Sequence, residues 1–183
     1  MEHQLDPDEY DMATIQEPYL DFNHNTQATH NWFTVYPKEH YHKPNKTRSI
    51  ILINKRIPTN SWTHIDFASS DMMAFQIQTP AGYILCINMY NDAQNSEGVQ
   101  KVTQYMSRKA HDQNPRYQTH VIWLGDFNRH HIMWDKSRNS HLFMRSNLDK
   151  AQIIINVMAK YDLQMILPKN VPTLYAMATR NYT

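Results

Sequence analysis

The sequence predicts an α/β protein in which mixed β-sheets are covered by helices, as in a layered sandwich. Three observations predict this class. Apolar runs of strand length recur along the chain, two longer segments repeat apolar residues at helical spacing, and the order is strands, helix, strand, helix, strand. A chain of 183 residues with 41% hydrophobic content can bury a sizeable core, so we expect one domain covering residues 1–183.

Two strands are predicted in the first third of the chain. The apolar run from Met12 to Gln16 ends before Pro18, because proline cannot donate a hydrogen bond to a β-ladder. The segment 48–54 contains four consecutive apolar residues, which is typical of a strand whose sheet is covered on both faces. We therefore assign both segments to the predicted sheets.

A β-hairpin is predicted next, so antiparallel strands come early in the chain. Residues 72–78 alternate larger apolar side chains with Ala74 and Gln76, which is the two-residue period of a strand. The sequence Pro80-Ala81-Gly82 supplies turn residues, and residues 83–90 return as the second strand.

Two helices and two further strands complete the predicted order. Apolar residues at helical spacing predict helices at 96–110 and 147–161, and Asn147 is a candidate N-cap of the second helix. A strand at 120–124 lies between the helices, and a short strand at 163–167 ends before a proline. The helices are expected to pack outside the sheets.

The most informative stretch of the chain is the octapeptide 121–128. Four apolar residues lead into Gly125, Asp126, Phe127 and Asn128. Because alternate residues of an extended segment share a face, we expect Asp126 and Asn128 on one side and Phe127 in the core. Gly125 lets the backbone turn or a ligand approach closely. A carboxylate beside an amide offers ligands for a hard cation and a donor for a phosphate oxygen, whereas an ordinary Asp/Asn turn is the alternative interpretation.

Polar side chains follow three predicted strands, where a sheet opens to solvent. Glu17 follows the first strand, Asn88 and Tyr90 lie at the end of the hairpin, and Asp126 and Asn128 follow the strand at 120–124. Mg²⁺ needs few carboxylates because it keeps several waters, so Glu17 and a second acid would suffice. The amides are candidates to hold phosphate oxygens, and the tyrosine hydroxyl can donate to developing negative charge. Together these groups indicate metal-assisted phosphodiester hydrolysis.

At these positions the chain resembles the endonuclease/exonuclease/phosphatase superfamily, most closely the endonuclease domain of LINE-type (non-LTR) retrotransposon polyproteins. Residues 13–19 (ATIQEPY) resemble its glutamate motif, and residues 88–90 (NMY) resemble its Asn-x-Tyr motif. Residues 123–128 (WLGDFN) resemble its Gly-Asp-Phe-Asn motif, His130, His131 and Trp134 resemble the histidine and aromatic residues after it, and Pro172-Thr173 resembles the Pro-Thr step before its last strands. The resemblance covers essentially the whole chain, with the motifs in the family's order.

The resemblance implies a four-layer α/β sandwich, with two mixed sheets flanked by helices, and dependence on Mg²⁺ or Mn²⁺. It also implies nicking of target DNA, contacted at the phosphate backbone, to prime a reverse transcriptase carried on the same polyprotein. Carried over position by position, Glu17 is the metal ligand and Tyr90 stabilises the transition state. Asp126 aligns or deprotonates the attacking water, and Asn128 holds the phosphate.

Asn88 and His131 are the remaining substrate-binding candidates. Asn88 is a candidate for a phosphate oxygen, although an inward Asn in a strand can instead serve only to bond the backbone. We expect His131 to pack or hydrogen-bond near Asn128. A zinc site at His130 and His131 is disfavoured, because adjacent residues of an extended segment point apart and a catalytic zinc needs about three converging ligands.

Two segments of the family pattern are missing from the sequence. The family has an Asn-bearing strand before the glutamate motif, whereas only eleven residues, five of them acidic, precede Met12, and none of them indicates that strand. It also has an Asp and an Asp-His pair beyond the region that matches residues 181–183. We therefore expect an incomplete sandwich that lacks its first strand and its C-terminal Asp-His segment, with weak or absent catalysis.

The basic stretch and the superfamily resemblance leave two other function classes open. Residues 36–56 carry six basic residues against one acid, although the net charge is +1, which predicts either a phosphate-binding patch or a solvated loop. The alternatives are a non-catalytic nucleic-acid-binding remnant and a phosphatase or phosphoesterase acting on a small or lipid substrate. We expect no membrane association and an intracellular location, with the nucleus as an open option, because the chain shows no signal pattern and no long apolar run.

Overall fold

The computed structural model describes residues 5–111 and 118–169, and within them it confirms the α/β class. The strands are β1 (Met12–Gln16), β2 (Trp32–Val35), β3 (Ser49–Asn54), β4 (Trp62–Ile65), β5 (Met72–Thr79), β6 (Gly82–Tyr90) and β7 (Gln118–Asp126). The helices are α1 (Glu97–His111) and α2 (Arg145–Lys160). The chain divides into two compact units, one up to Asn128 and one from Arg129 onward.

The strands of the first unit form two sheets. One sheet is antiparallel with the order β1-β3-β2, and its central strand β3 is buried along its whole length. The other has the order β4-β5-β6-β7 and is mixed, because β6 and β7 run parallel. A parallel pair needs a crossover connection, and α1 lies in that connection. The carboxyl ends of β6 and β7 therefore meet at one edge, with Tyr90 opposite Asp126.

The two sheets share a hydrophobic core, as a sandwich requires. Ile51 and Ile53 of β3 cluster with Met73 and Phe75 of β5 and with Cys86 of β6. Burial raises the pKa of the Cys86 thiol to about 11, so this residue is an inert small hydrophobe and not a nucleophile. The alternation predicted for β5 therefore points its larger side chains at the other sheet.

Helix α1 confirms the apolar stripe predicted for residues 96–110. Val99, Val102 and Met106 are buried along one face of the helix. A Cβ atom on Gly98 would lie 3.0 Å from Sδ of Met89 and 3.6 Å from Sδ of Met72, so the first turn of α1 packs on the ends of β6 and β5. The crossover helix thus supports the strands that end at the predicted site.

The second unit contains α2, and two predictions for it are wrong. The helix begins at Arg145 with Met144 at its N-cap, so Asn147 is not the cap; its side-chain amide instead donates to the carbonyl of Leu142 at 2.8 Å. Residues 163–167 form no strand in the part of the chain that the structure describes. Neither of the two helices described has the length and apolar character needed to cross a bilayer. The family match predicted at Pro172-Thr173 lies outside the described residues.

The buried His40 and the half-buried His64 of the first unit are expected to make the protein less stable in mild acid. His40 stacks on the ring of Tyr36 at 4.0 Å and bonds the hydroxyl of Thr47 at 2.9 Å. Burial lowers the pKa of His40 and of His64 below the ordinary value of 6.5. The unfolded chain therefore takes up these protons first, so the contribution is neutral above about pH 6.5 and destabilising below it.

We expect the urea midpoint to fall between pH 7.5 and pH 5, and to fall less when both histidines are glutamine. His42→Gln is the matched control, since His42 is exposed. If the urea midpoint fell by the same amount between pH 7.5 and pH 5 in the double variant and in the control, the assignment of this effect to His40 and His64 would be contradicted.

Candidate active site

Three strand ends bring Glu17, Tyr90 and Asp126 into one place within the first unit. Glu17 follows β1 directly, whereas Tyr90 and Asp126 are the last residues of β6 and β7 and are register partners. The Glu17 carboxylate, through hydrogen bonding and charge, and the Asp126 charge both raise the pKa of the Tyr90 phenol, so both acids lie near it. Side chains from both sheets therefore converge, as the three sequence motifs predicted.

The phenol of Tyr90 is held in its protonated form. Burial is the largest cause that raises its pKa, followed by the hydrogen bond to Glu17 and the negative charges of Glu17 and Asp126; the cation of Arg48 partly opposes them. A phenol with a raised pKa keeps its O–H at neutral pH. Tyr90 is therefore available as a hydrogen-bond donor and not as a base.

Glu17 is placed by an unusual turn at the end of β1. Its φ is +48°, in the left-handed region that non-glycine residues rarely occupy. Its N–H donates to the carbonyl of Arg48 at 2.8 Å, and Pro18 follows it. Such strain persists only where surrounding structure enforces it, and it often marks a functional position.

The end of β7 is fastened to the end of β6 by a set of short hydrogen bonds. Asn128 donates its N–H to Oδ1 of Asp126 at 3.0 Å and its side-chain amide to the carbonyl of Asn91 at 3.0 Å. Asn91 in turn donates its N–H to the carbonyl of Asp126 at 2.8 Å and its side-chain amide to that of Phe127 at 2.7 Å. These bonds fix the position of the Asp126 carboxylate.

The residues after Asp126 do not continue as an extended strand. Asn128 has a φ of +46°, so the Asp/Asn turn left open by the sequence is present, and the same-face argument for Asp126 and Asn128 does not apply. Phe127 is half-buried and not in the core; its ring lies edge-on to Trp123 at 5.1 Å. The turn and a functional site are compatible, because the turn holds the Asp126 carboxylate at the sheet edge.

Asn88 joins the two sheets inside the sandwich. It is fully buried, its Oδ1 accepts a hydrogen bond from the amide of Gln16, and its Nδ2 donates to the carbonyl of Ile50 at 2.9 Å. These bonds match the structural alternative considered for this residue, and the substrate-binding role stays a prediction. By tying β6 to β1, Asn88 helps set the distance between Tyr90 and Glu17.

His131 belongs to the second unit, where its contacts are local. Its ring lies 5.1 Å from that of Trp134, its Nδ1 accepts from the N–H of Met133 at 3.2 Å, and its own N–H donates to Asp135 at 2.9 Å. His130 also lies beside the Asp135 carboxylate. Asp135 thus organises this turn. The substrate-binding role of His131 stays a prediction.

The basic stretch at 36–56 is less available to phosphates than the sequence indicates. Three of its six cations pair with acids from elsewhere in the first unit. These ion pairs are Arg48–Asp71, Arg56–Asp11 and Lys38–Asp66. Sequence reasoning missed the partners because they are distant along the chain and follow no local pattern.

The donor set at the three strand ends suits a hard cation that needs few protein ligands. Within residues 5–111 and 118–169, no group of three or more His, Cys, Asp or Glu side chains is placed to hold a metal ion. Zinc would need such a group. Mg²⁺ takes one or two carboxylates and keeps waters, and Glu17 and Asp126 provide two carboxylates acting on the same phenol. The residues present therefore fit Mg²⁺ or Mn²⁺.

Comparisons with known proteins bear on the family and the fold of the chain. Residues 84–182 match the family model described as endonuclease-reverse transcriptase. Among solved structures, the endonuclease domain of TRAS1, a telomere-specific non-LTR retrotransposon, matches with a TM-score of 0.57 and 15% identity over 91% of this chain. This chain spans 65% of that structure's length, and at such low identity the likeness shows the fold alone. No curated protein sequence matches the chain.

Proposed function

We infer the function from one premise: this chain belongs to the endonuclease-reverse transcriptase family, whose model matches residues 84–182. We propose that it is a phosphodiester hydrolase of the retrotransposon endonuclease type, whose weak activity nicks DNA with the help of Mg²⁺ or Mn²⁺. The proposed partners are the phosphate backbone of DNA and a reverse transcriptase on the same polyprotein. The observation that supports this proposal most strongly is the convergence of Glu17, Tyr90 and Asp126 at three strand ends.

Each converging side chain has a proposed role in hydrolysis. The Glu17 carboxylate, positioned by its left-handed turn, is the proposed ligand of the metal ion. A bound divalent ion would supply Lewis-acid stabilisation of phosphoryl oxygens. The Asp126 carboxylate accepts a hydrogen bond from a water and orients it toward phosphorus. Tyr90 keeps its proton and donates to the negative charge that develops on the phosphate.

Two observations argue against the alternative that the chain is a non-catalytic nucleic-acid-binding remnant. The basic stretch that motivated it is partly neutralised by internal ion pairs. The acids that a hydrolase needs also lie together, which a binding remnant does not require. Binding to DNA that weakens steeply with salt, without any cleavage, would favour the remnant instead.

Plasmid nicking tests the proposal, with Glu17→Gln as the diagnostic variant. We expect supercoiled plasmid to convert to open circles with Mg²⁺ or Mn²⁺ but not with EDTA. Losing a direct carboxylate ligand should raise the metal concentration for half-maximal rate by about 10–100-fold or more. Glu9→Gln is the matched control, because Glu9 is an exposed acid in the acidic N-terminal segment.

The same samples separate a diesterase from a phosphatase. We expect turnover of bis-p-nitrophenyl phosphate, a diester, to exceed that of the corresponding monoester. A wild-type chain that cleaves neither plasmid nor diester with either metal would refute the proposed function. Preferential turnover of the monoester would point to the phosphatase alternative.

A further inference from the structure

We propose that Arg48 is a positioning residue that holds the ring of Tyr90 in the site; this inference rests on the proposed function. Its guanidinium carbon lies 4.6 Å from the centroid of the Tyr90 ring. An Arg above an aromatic face is attracted by the negative charge of the ring's π-system. Arg48 directly precedes β3; it is one of the six cations of the basic stretch 36–56 but belongs to none of the three family-like motifs.

The edge of the guanidinium is occupied by two carboxylates. Its Nε and one terminal nitrogen donate to the two oxygens of Asp71 at 2.8 and 2.7 Å, a bidentate pair. Both terminal nitrogens also lie 3.4 Å from Oδ2 of Asp92. A bidentate pair fixes the plane of the guanidinium as well as its position. The plane that faces Tyr90 is therefore set by acids on the loops next to β5 and β6.

These contacts argue that Arg48 does not bind the substrate's phosphate. Two acidic side chains already contact one cation, so the cluster carries no excess positive charge. A phosphate would have to displace a carboxylate from a bidentate pair. The part of Arg48 that remains for function is its planar face, which lies over Tyr90.

Backbone hydrogen bonds connect Arg48 to Glu17, and its partner Asp71 to Tyr90. The carbonyl of Arg48 accepts the N–H of Glu17 at 2.8 Å, and its own N–H donates to the carbonyl of Ser70 at 2.9 Å. The N–H of Tyr90 donates to the carbonyl of Asp71 at 2.7 Å. Arg48 and its partner Asp71 thus fix the backbone positions of the proposed metal ligand and of the tyrosine.

The arrangement gives Tyr90 two supports with different roles. The hydroxyl lies near the Glu17 carboxylate, which helps to raise the pKa of the phenol, and the ring is held by Arg48. When the hydroxyl turns from Glu17 toward a substrate oxygen, the guanidinium still holds the ring. Lysine cannot replace this support, because an ammonium group has neither a planar face nor a bidentate edge.

A double-mutant cycle in the nicking assay tests the catalytic part of the inference. We expect Arg48→Met and Arg48→Lys each to lower kcat by about tenfold while KM for DNA stays unchanged. In a Tyr90→Phe background the same changes should cause little further loss, because coupled residues are not additive. Arg56→Met is the matched control, since Arg56 makes a similar pair with Asp11 away from Tyr90. Equal losses in both backgrounds would overturn the inference.

A spectroscopic measurement tests the positioning without relying on turnover. With ¹³C-labelled tyrosine, the Tyr90 ring signal is assigned by its disappearance in Tyr90→Phe. We expect that signal to shift in Arg48→Met and Arg48→Lys but not in Arg56→Met, and an unchanged signal would overturn the inference. If the signal shifts but the wild-type chain does not nick, the proposed function fails and the positioning stands. If the wild-type chain nicks but the signal does not shift, only the positioning fails.

Discussion

Asparagine in place of Asp126 is expected to lower the rate of plasmid nicking by about 10²–10⁴-fold, the usual contribution of a residue that orients or deprotonates a nucleophile. Asp126 is exposed at the end of β7, so the substitution leaves the core intact. Asparagine also keeps an oxygen that can accept the N–H of Asn128, which Oδ1 of Asp126 accepts at 3.0 Å. The variant therefore removes charge and basicity while preserving the turn.

Asp6→Asn is the matched control for this substitution. Asp6 is another exposed acid whose Oδ1 accepts a backbone N–H two residues on, from Asp8 at 2.8 Å. It lies outside the proposed site, so its variant should nick at the wild-type rate. Equal rates for Asp126→Asn and the wild type would remove Asp126 from the mechanism, whatever the melting temperatures of the variants.

Alanine in place of Gly125 is expected to destabilise the fold by about 2–6 kcal/mol, as strain and overpacking each cost about 1–3 kcal/mol. Gly125 has a φ of +132°, and a Cβ atom there would lie 1.9 Å from the backbone oxygen of Met89. Met89 is the register partner of Gly125 on β6, so neither strand can retreat without breaking the ladder. The loss is a large fraction of a typical total stability of about 5–15 kcal/mol.

Urea unfolding of Gly125→Ala and Gly98→Ala provides the comparison. The closest contact of the Cβ in Gly98→Ala would be the flexible end of Met89, its sulfur, at 3.0 Å. Alanine is also favoured over glycine in a helix by about 1 kcal/mol, so this control should stay within about 1 kcal/mol of the wild type. Similar unfolding curves for the two variants would show that the close approach of β6 to Gly125 does not limit stability.

The strands that carry the site could be predicted because their signals are local. β1, β3, β5 and β6 are apolar runs that end at a polar residue or a turn, and each lies within one residue of the predicted bounds at the end that carries the site. β7, predicted at 120–124, extends two residues further at each end and includes Asp126. The two edge strands β2 and β4 were missed, since four residues are too few to show a period and their existence depends on pairing with β3 and β5. The prediction of a strand at 163–167 was wrong. The segment is apolar enough for a strand, but among the described residues no other strand pairs with it.

Only the site residues that lie in recognisable sequence motifs could be predicted. Glu17, Tyr90 and Asp126 were identified because each follows an apolar run in a family-like order. Arg48 and Asp71 were not, because their contact joins residues 23 positions apart and depends on where two loops fold. Long-range ion pairs leave no periodicity in a sequence, whereas a strand end does.

The central claim is that Glu17, Tyr90 and Asp126 surround one site for a divalent ion, and Mn²⁺-induced broadening of backbone amide NMR signals tests it most directly. With substoichiometric Mn²⁺, we expect the amides of these three residues to lose intensity first. Those of β2 and β4, at the far edges of the two sheets, should keep theirs. The broadening should disappear in Glu17→Gln. Broadening centred elsewhere, or unchanged by Glu17→Gln, would contradict the claim.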